Sequence, residues 1–205
     1  MQYLEESFRI LRANLEARYA GQALVSITSA RRNDGCSYVA AGLARAFAEA
    51  GRSTLLIAAS GERTGAAPLD GVVRNANLDT WSFALPSGAD PAARDVEARL
   101  PEFRARYRAI VVDCAPVVED AAACEFARRA DAVLLAVRLG RRIVPADREA
   151  MRLLEAFGSN VVGVVPTRGR ALAAPQAAPE RRRAEIVEYE PKPRVTAIRQ
   201  AEAGQ

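Results

Sequence analysis

The chain alternates between two kinds of segment, and that alternation limits its fold more than any other feature. "ALVSIT" (23–28), "STLLIAA" (53–59), "RAIVVDCAP" (108–116), "DAVLLAVRLG" (131–140) and "NVVGVVP" (160–166) are apolar runs of strand length. Between them lie segments with helical spacing: "SYVAAGLARAFAEAG" (37–51), "VEDAAACEFARRA" (118–130) and "PADREAMRLLEAFG" (145–158), the last with a proline start and a glycine stop. Strands that are apolar without alternation are buried on both faces. A doubly wound, mostly parallel α/β sheet with helices on both faces follows.

The remaining segments fill in this plan. Residues 3–19 put Leu4, Phe8, Leu11 and Leu15 on one side of a helix, with charged residues between them. "LDTWSFAL" (78–85) reads as a strand ending at Pro86, and Pro91 opens a polar helix to about Arg106, interrupted or restarted at Pro101. Residues 61–77 are rich in Gly, Pro and Asn and read as loop with at most a short helix. After Pro166 the pattern stops. The expected organisation is an amphipathic helix (1–20), an α/β domain (21–167) and a flexible Ala/Pro/Arg-rich tail (168–205).

Composition excludes several kinds of chemistry. Among the 205 residues there is no histidine, so His-based acid–base catalysis, Ser-His triads and the commonest zinc sites are ruled out. Lys192, in the tail, is the single lysine. Cys36, Cys114 and Cys124 form no CxxC pair, and no export signal or membrane-length apolar run is evident, so a reducing cytoplasm is expected. The formal charge of +4 is spread among acidic residues, so no nucleic-acid partner is expected.

Three features occur in order: "EESFRILRANL", with Glu6-x-x-Arg9-x-x-Arg12; a strand, turn and small-residue helix around "SARRNDGCSY" (29–38); and "YRAIVVDCAPVVEDAAACEFARRADAVLLAVRLG". Together they resemble the tyrosine-kinase domain that partners polysaccharide co-polymerases in bacterial capsule and exopolysaccharide export. That family belongs to the MinD- and ParA-type deviant P-loop ATPases, so the resemblance implies a P-loop NTPase-like fold. It further implies that the Glu6, Arg9, Arg12 helix lies at a subunit contact, for which Arg suits bidentate pairing. The residues alone also allow a solvated charged face.

The resemblance locates a nucleotide site, and this chain departs from it. A working phosphate loop wraps phosphates in backbone N–H groups, reaches the terminal phosphates with a lysine and sets a hydroxyl on magnesium. Here Gly35 and Ser37 remain, Asn33 replaces a flexible glycine, and Cys36 stands where the lysine belongs. The second motif's two carboxylate positions carry Ala58 and Ser60. The third motif survives as "IVVDCAP", so Asp113 reads either as a magnesium ligand through water or as a structural cap. Arg31 and Arg32 either lend charge to a phosphate or face solvent. The family's terminal tyrosine cluster is reduced to Tyr189, either a phosphorylation site or an ordinary tail residue.

The expectation is therefore a catalytically degenerate member: no catalytic residue, a degenerate nucleotide site of Gly35, Cys36, Ser37 and Asp113, and a vestigial magnesium pair of Ser37 and Asp113. No cofactor is expected unless Mg-ATP still binds there. The implied partner is the cytoplasmic end of a Wzz-like co-polymerase or an active kinase paralogue, in a homo- or hetero-oligomer held at the inner membrane through that partner. Two other readings stay open. One is an active ATP-dependent tyrosine autokinase or ATPase using Arg31 or Arg32. The other is a partition-type switch, against which the missing lysines count.

Overall fold

A computed structural model describes residues 2–19, 21–59, 72, 73, 76–82, 90–140, 142 and 144–168. In chain order the elements are α1 (Gln2–Arg18), β1 (Ala23–Ser29), α2 (Cys36–Glu49), β2 (Thr54–Ala59), β3 (Val72–Val73), β4 (Leu78–Ser82), α3 (Asp90–Arg106), β5 (Ala109–Cys114), α4 (Ala121–Arg129), β6 (Ala132–Leu139), α5 (Pro145–Ala156) and β7 (Val161–Arg168). Among the described residues they form one sheet in the order β3-β4-β2-β5-β1-β6-β7. All neighbours are parallel except β3, which pairs antiparallel with β4. The doubly wound α/β sheet expected from the alternation is the fold observed.

Two apolar layers sandwich the sheet. Leu11 and Leu15 of α1 and Val39, Leu43 and Phe47 of α2 pack with Val25, Ile27, Val111 and Leu134 on one face. Phe103 of α3, Phe126 of α4 and Leu154 of α5 pack with Leu24, Leu55, Ile110 and Val133 on the other. β1 and β5 are buried at every residue, which is why their sequences show no polar alternation. α1 seats on α2 through one local device. A Cβ on Gly42 would lie 2.3 Å from the Phe8 ring, so the missing side chain makes the notch that Phe8 fills. Phe8 also meets Tyr38 edge-on, at 5.6 Å between ring centroids.

Four boundaries differ from the expectation. α3 runs unbroken through Pro101, because Leu100, Phe103 and Tyr107 are anchored in the core on either side of the proline. α4 begins only at Ala121, where the Asp120 carboxylate accepts the Ala122 N–H at 2.9 Å and caps the helix. β7 continues past Pro166 to Arg168. It is an edge strand, where a residue without an N–H is tolerated. Within 61–77, a stretch expected as loop with at most a short helix, the two-residue strand β3 occurs. The tail beyond Arg168, with Tyr189 and Lys192, and Ser60 of the second motif lie outside the described residues.

Candidate functional site

The loop from Ala30 to Gly35 leaves the carboxyl end of β1 and turns into the amino end of α2. In a parallel sheet this edge is where ligands bind, and the helix N-terminus offers unsatisfied N–H groups to an anion. Two residues make the turn with left-handed backbone: Asn33 at φ 66° and Gly35 at φ 92°. Asn33 thus adopts the conformation for which its place in the loop asked a glycine. The first helical bond runs from the Val39 N–H to the Gly35 carbonyl at 3.0 Å. The Ser29 hydroxyl, buried behind the turn, donates to the Arg31 carbonyl at 2.8 Å.

Cys36 is the first residue of α2. Burial, and next the negative charge of Asp113, push its thiol well above the ordinary range. At neutral pH it is a neutral thiol, so Cys36 brings no charge to the head of α2. Cys114 beside it is pushed up to about 12 by burial and lies 3.3 Å from the Ser26 hydroxyl. Asp113 is buried, and its register sets it between Ala58 of β2 and Ile27 of β1. The described position of the second motif therefore lies directly beside the surviving third-motif carboxylate and carries only a methyl group. Ser37 is exposed on the first turn of α2.

The structure thus brings Cys36 and Asp113 together at the carboxyl end of the sheet, with Ser37 exposed beside Cys36 on α2. Arg31 is exposed, whereas Arg32 donates from Nε to the Glu119 carboxylate at 2.8 Å across the mouth of the site. Both side chains of that pair are largely solvated, so it contributes about 0.2–1 kcal/mol. The loops after β1 and β5 are further tied by the Thr28 hydroxyl to the Ala115 carbonyl at 2.8 Å and by the Val117 N–H to the Ser29 carbonyl at 2.9 Å. From the opposite side, the Thr167 hydroxyl donates to the Asp34 carbonyl. Sequence reading missed Glu119 and Thr167. Their partners lie 87 and 133 residues away, with no local pattern to mark them.

On α1, Glu6 and Arg9 are exposed and pair with each other at 3.3 Å, and Arg9 also approaches Glu49 of α2 at 3.7 Å. Arg12 is placed differently. It is three-quarters covered and bonds Glu16 at 2.6 Å, which in turn accepts from Arg52 at 2.7 Å. No helix among the described residues is long and apolar enough to cross a membrane.

No protein-family model and no curated protein matches the chain. Solved structures do. The kinase domain of Escherichia coli tyrosine kinase ETK is 21% identical, with 85% of this chain and 80% of that chain covered and a TM-score of 0.69. The kinase domain of VpsO is 22% identical, with 81% and 96% covered and a TM-score of 0.67. Cobyrinic acid a,c-diamide synthase from Mycobacterium smegmatis, solved with ADP and magnesium, is 12% identical, with 71% and 74% covered and a TM-score of 0.61. At such identities the likeness establishes the shared fold.

Proposed function

We propose that this chain is a catalytically degenerate relative of the bacterial tyrosine-kinase domains, acting as a structural or regulatory subunit in capsule or exopolysaccharide export. The observation that carries the reading is the neutral Cys36 thiol at the head of α2, beside an Asp113 whose described neighbour in the second motif is Ala58. Phosphoryl transfer is positioning plus charge stabilisation, and each lost preorganised contact costs roughly a hundredfold to a thousandfold in rate. A loop without its lysine, facing a motif without a carboxylate at position 58, is short of charge on both sides of the phosphate.

The retained scaffold would then serve assembly. The solvated Glu6 and Arg9 of α1 are the groups available to a co-polymerase, an active paralogue or a second copy. Arg12 would contribute by holding α1 through Glu16 and Arg52. In this reading Mg-ATP is not a required cofactor, and Ser37 and Asp113 would be the residues to hold magnesium if it enters. Isothermal titration and a turnover assay on the purified full chain test the reading. We expect no saturable Mg-ATP binding below the millimolar range and no hydrolysis above background. Micromolar binding with turnover abolished by Asp113→Ala would overturn it.

Exposed Arg31 favours one competing reading, an autokinase with an arginine in place of the lysine. It requires phosphate on Tyr189 after incubation with Mg-ATP, lost in Arg31→Ala, and intact-mass spectrometry decides the point. For the interface, Glu6→Ala with Arg9→Ala should weaken capture of the partner or self-association. Unchanged sedimentation and pull-down would remove that assignment.

A further inference from the structure

We infer that Thr167 is a latch on the loop Asn33–Gly35, placed there by a bulge in β7, so that this edge strand sets the conformation of the degenerate site. The contact has two parts. The Thr167 hydroxyl donates to the Asp34 carbonyl, and the side chain is buried against Gly35. A Cβ built on Gly35 would lie 3.0 Å from both Cβ and Cγ2 of Thr167, so the fit is close and depends on glycine twice, for its contact and for its φ of 92°.

The bulge explains why Thr167 faces the loop at all. Along β6, Val133 pairs with Val161 but Leu134 pairs with Gly163, so one extra residue of β7 is accommodated there. Val161 belongs to the layer of α3, α4 and α5. Val162 packs into the layer of α1 and α2, and a Cβ on Gly163 would meet Leu134 of that same layer. Beyond the bulge the alternation has changed phase: Val164 faces α3–α5, and Val165 faces α1 and α2. Were the alternation unbroken from Val161 onward, Thr167 would share the face of Val161 and point away from the loop.

This arrangement works as a conformational device. Among the described residues β7 has a neighbour on one side only, and Pro166, immediately before the latch, has no N–H to give to the sheet. Fraying of the strand end therefore withdraws Thr167, and the loop loses a buried hydrogen bond and its packing partner in one event. By reciprocity, whatever steadies the loop steadies the end of β7. The latch goes beyond the loss of catalysis and does not depend on it.

Hydrogen exchange of the full chain, resolved to the amides of residues 32–38, tests the latch. Thr167→Val keeps the shape and removes the donor, and it should speed exchange of these amides roughly tenfold. Amides of β1 and β5 should be unchanged. Thr167→Ser restores the donor and should return most of the protection. Loop exchange unchanged in Thr167→Val, or equal in the Val and Ser variants, overturns the proposal.

Discussion

The two ends of the parallel sheet use charge in opposite ways. At the amino end, ionic groups are plentiful and engaged. Asp131 receives both Arg104 Nη atoms at 3.0 and 3.1 Å and also accepts the Leu24 N–H at 2.8 Å. Buried Asp79 accepts from the Tyr107 hydroxyl at 2.7 Å, and Gln22 donates to the carbonyls of Arg104 and Tyr107 at the end of α3. At the carboxyl end, the Cys36 thiol is held neutral and Asp113 pairs in register with Ala58, which offers only a methyl group. Charge at the amino end holds helices to strands. At the carboxyl end the Arg32–Glu119 pair is solvated and contributes little to holding the fold.

Five measurements sharpen or break this contrast. Asp131→Ala should have the largest effect. It strands the N–H of buried Leu24 and an arginine together, and should cost about 3 kcal/mol in a denaturant titration. A cost below 1 kcal/mol would show that the amino end is not held by its charges. Tyr107→Phe leaves the Asp79 carboxylate without that donor and should cost about 1.5–2 kcal/mol by the same measurement.

At the other end, Cys36→Lys restores the missing cation. If the loop keeps its shape, Mg-ATP affinity should rise at least tenfold, about 1.4 kcal/mol. No gain would mean that the fold of the loop, and not only its charge, excludes the ligand.

Cys114 links the same edge to pH. Its folded thiol keeps a proton up to about 12, while the unfolded chain releases it near 9.0. Stability from this group is therefore complete below 9.0 and falls as pH rises toward 12, by at most about 1.4 kcal/mol per unit. Cys114→Ala should flatten that part of the stability profile, and an unchanged slope would remove the assignment. Arg32→Ala should have the smallest effect, under about 0.5 kcal/mol in thermal unfolding, because the Glu119 pair is exposed.

The legible parts of the molecule were those written in local sequence. The unbroken apolar runs of β1 and β5 fixed their burial on both faces, and Leu11 and Leu15 marked the seam of α1. Cys36, Ser37 and Asp113 were singled out through the resemblance, and the fold brings Cys36 and Asp113 together. The apparent break at Pro101 was misleading because core anchoring outweighs a proline's local preference, about 3 kcal/mol in a helix interior. The spacing of Arg9 and Arg12 suggested equivalent roles, but the packing of α1 on α2 leaves Arg9 solvated and covers Arg12.

By itself the sequence determined which side chains exist to do chemistry: no histidine anywhere, one lysine at position 192, and Cys36 and Ala58 at places where the family resemblance implies charges. Those are properties of residue type and need no contacts. Only the tertiary structure decided the protonation of Cys36, because burial and the nearness of Asp113 are properties of assembled strands. It also decided that Thr167 touches the loop, because a single extra residue in β7 reverses which face every later side chain meets. Strand periodicity is local, but its phase is set by the neighbouring strand.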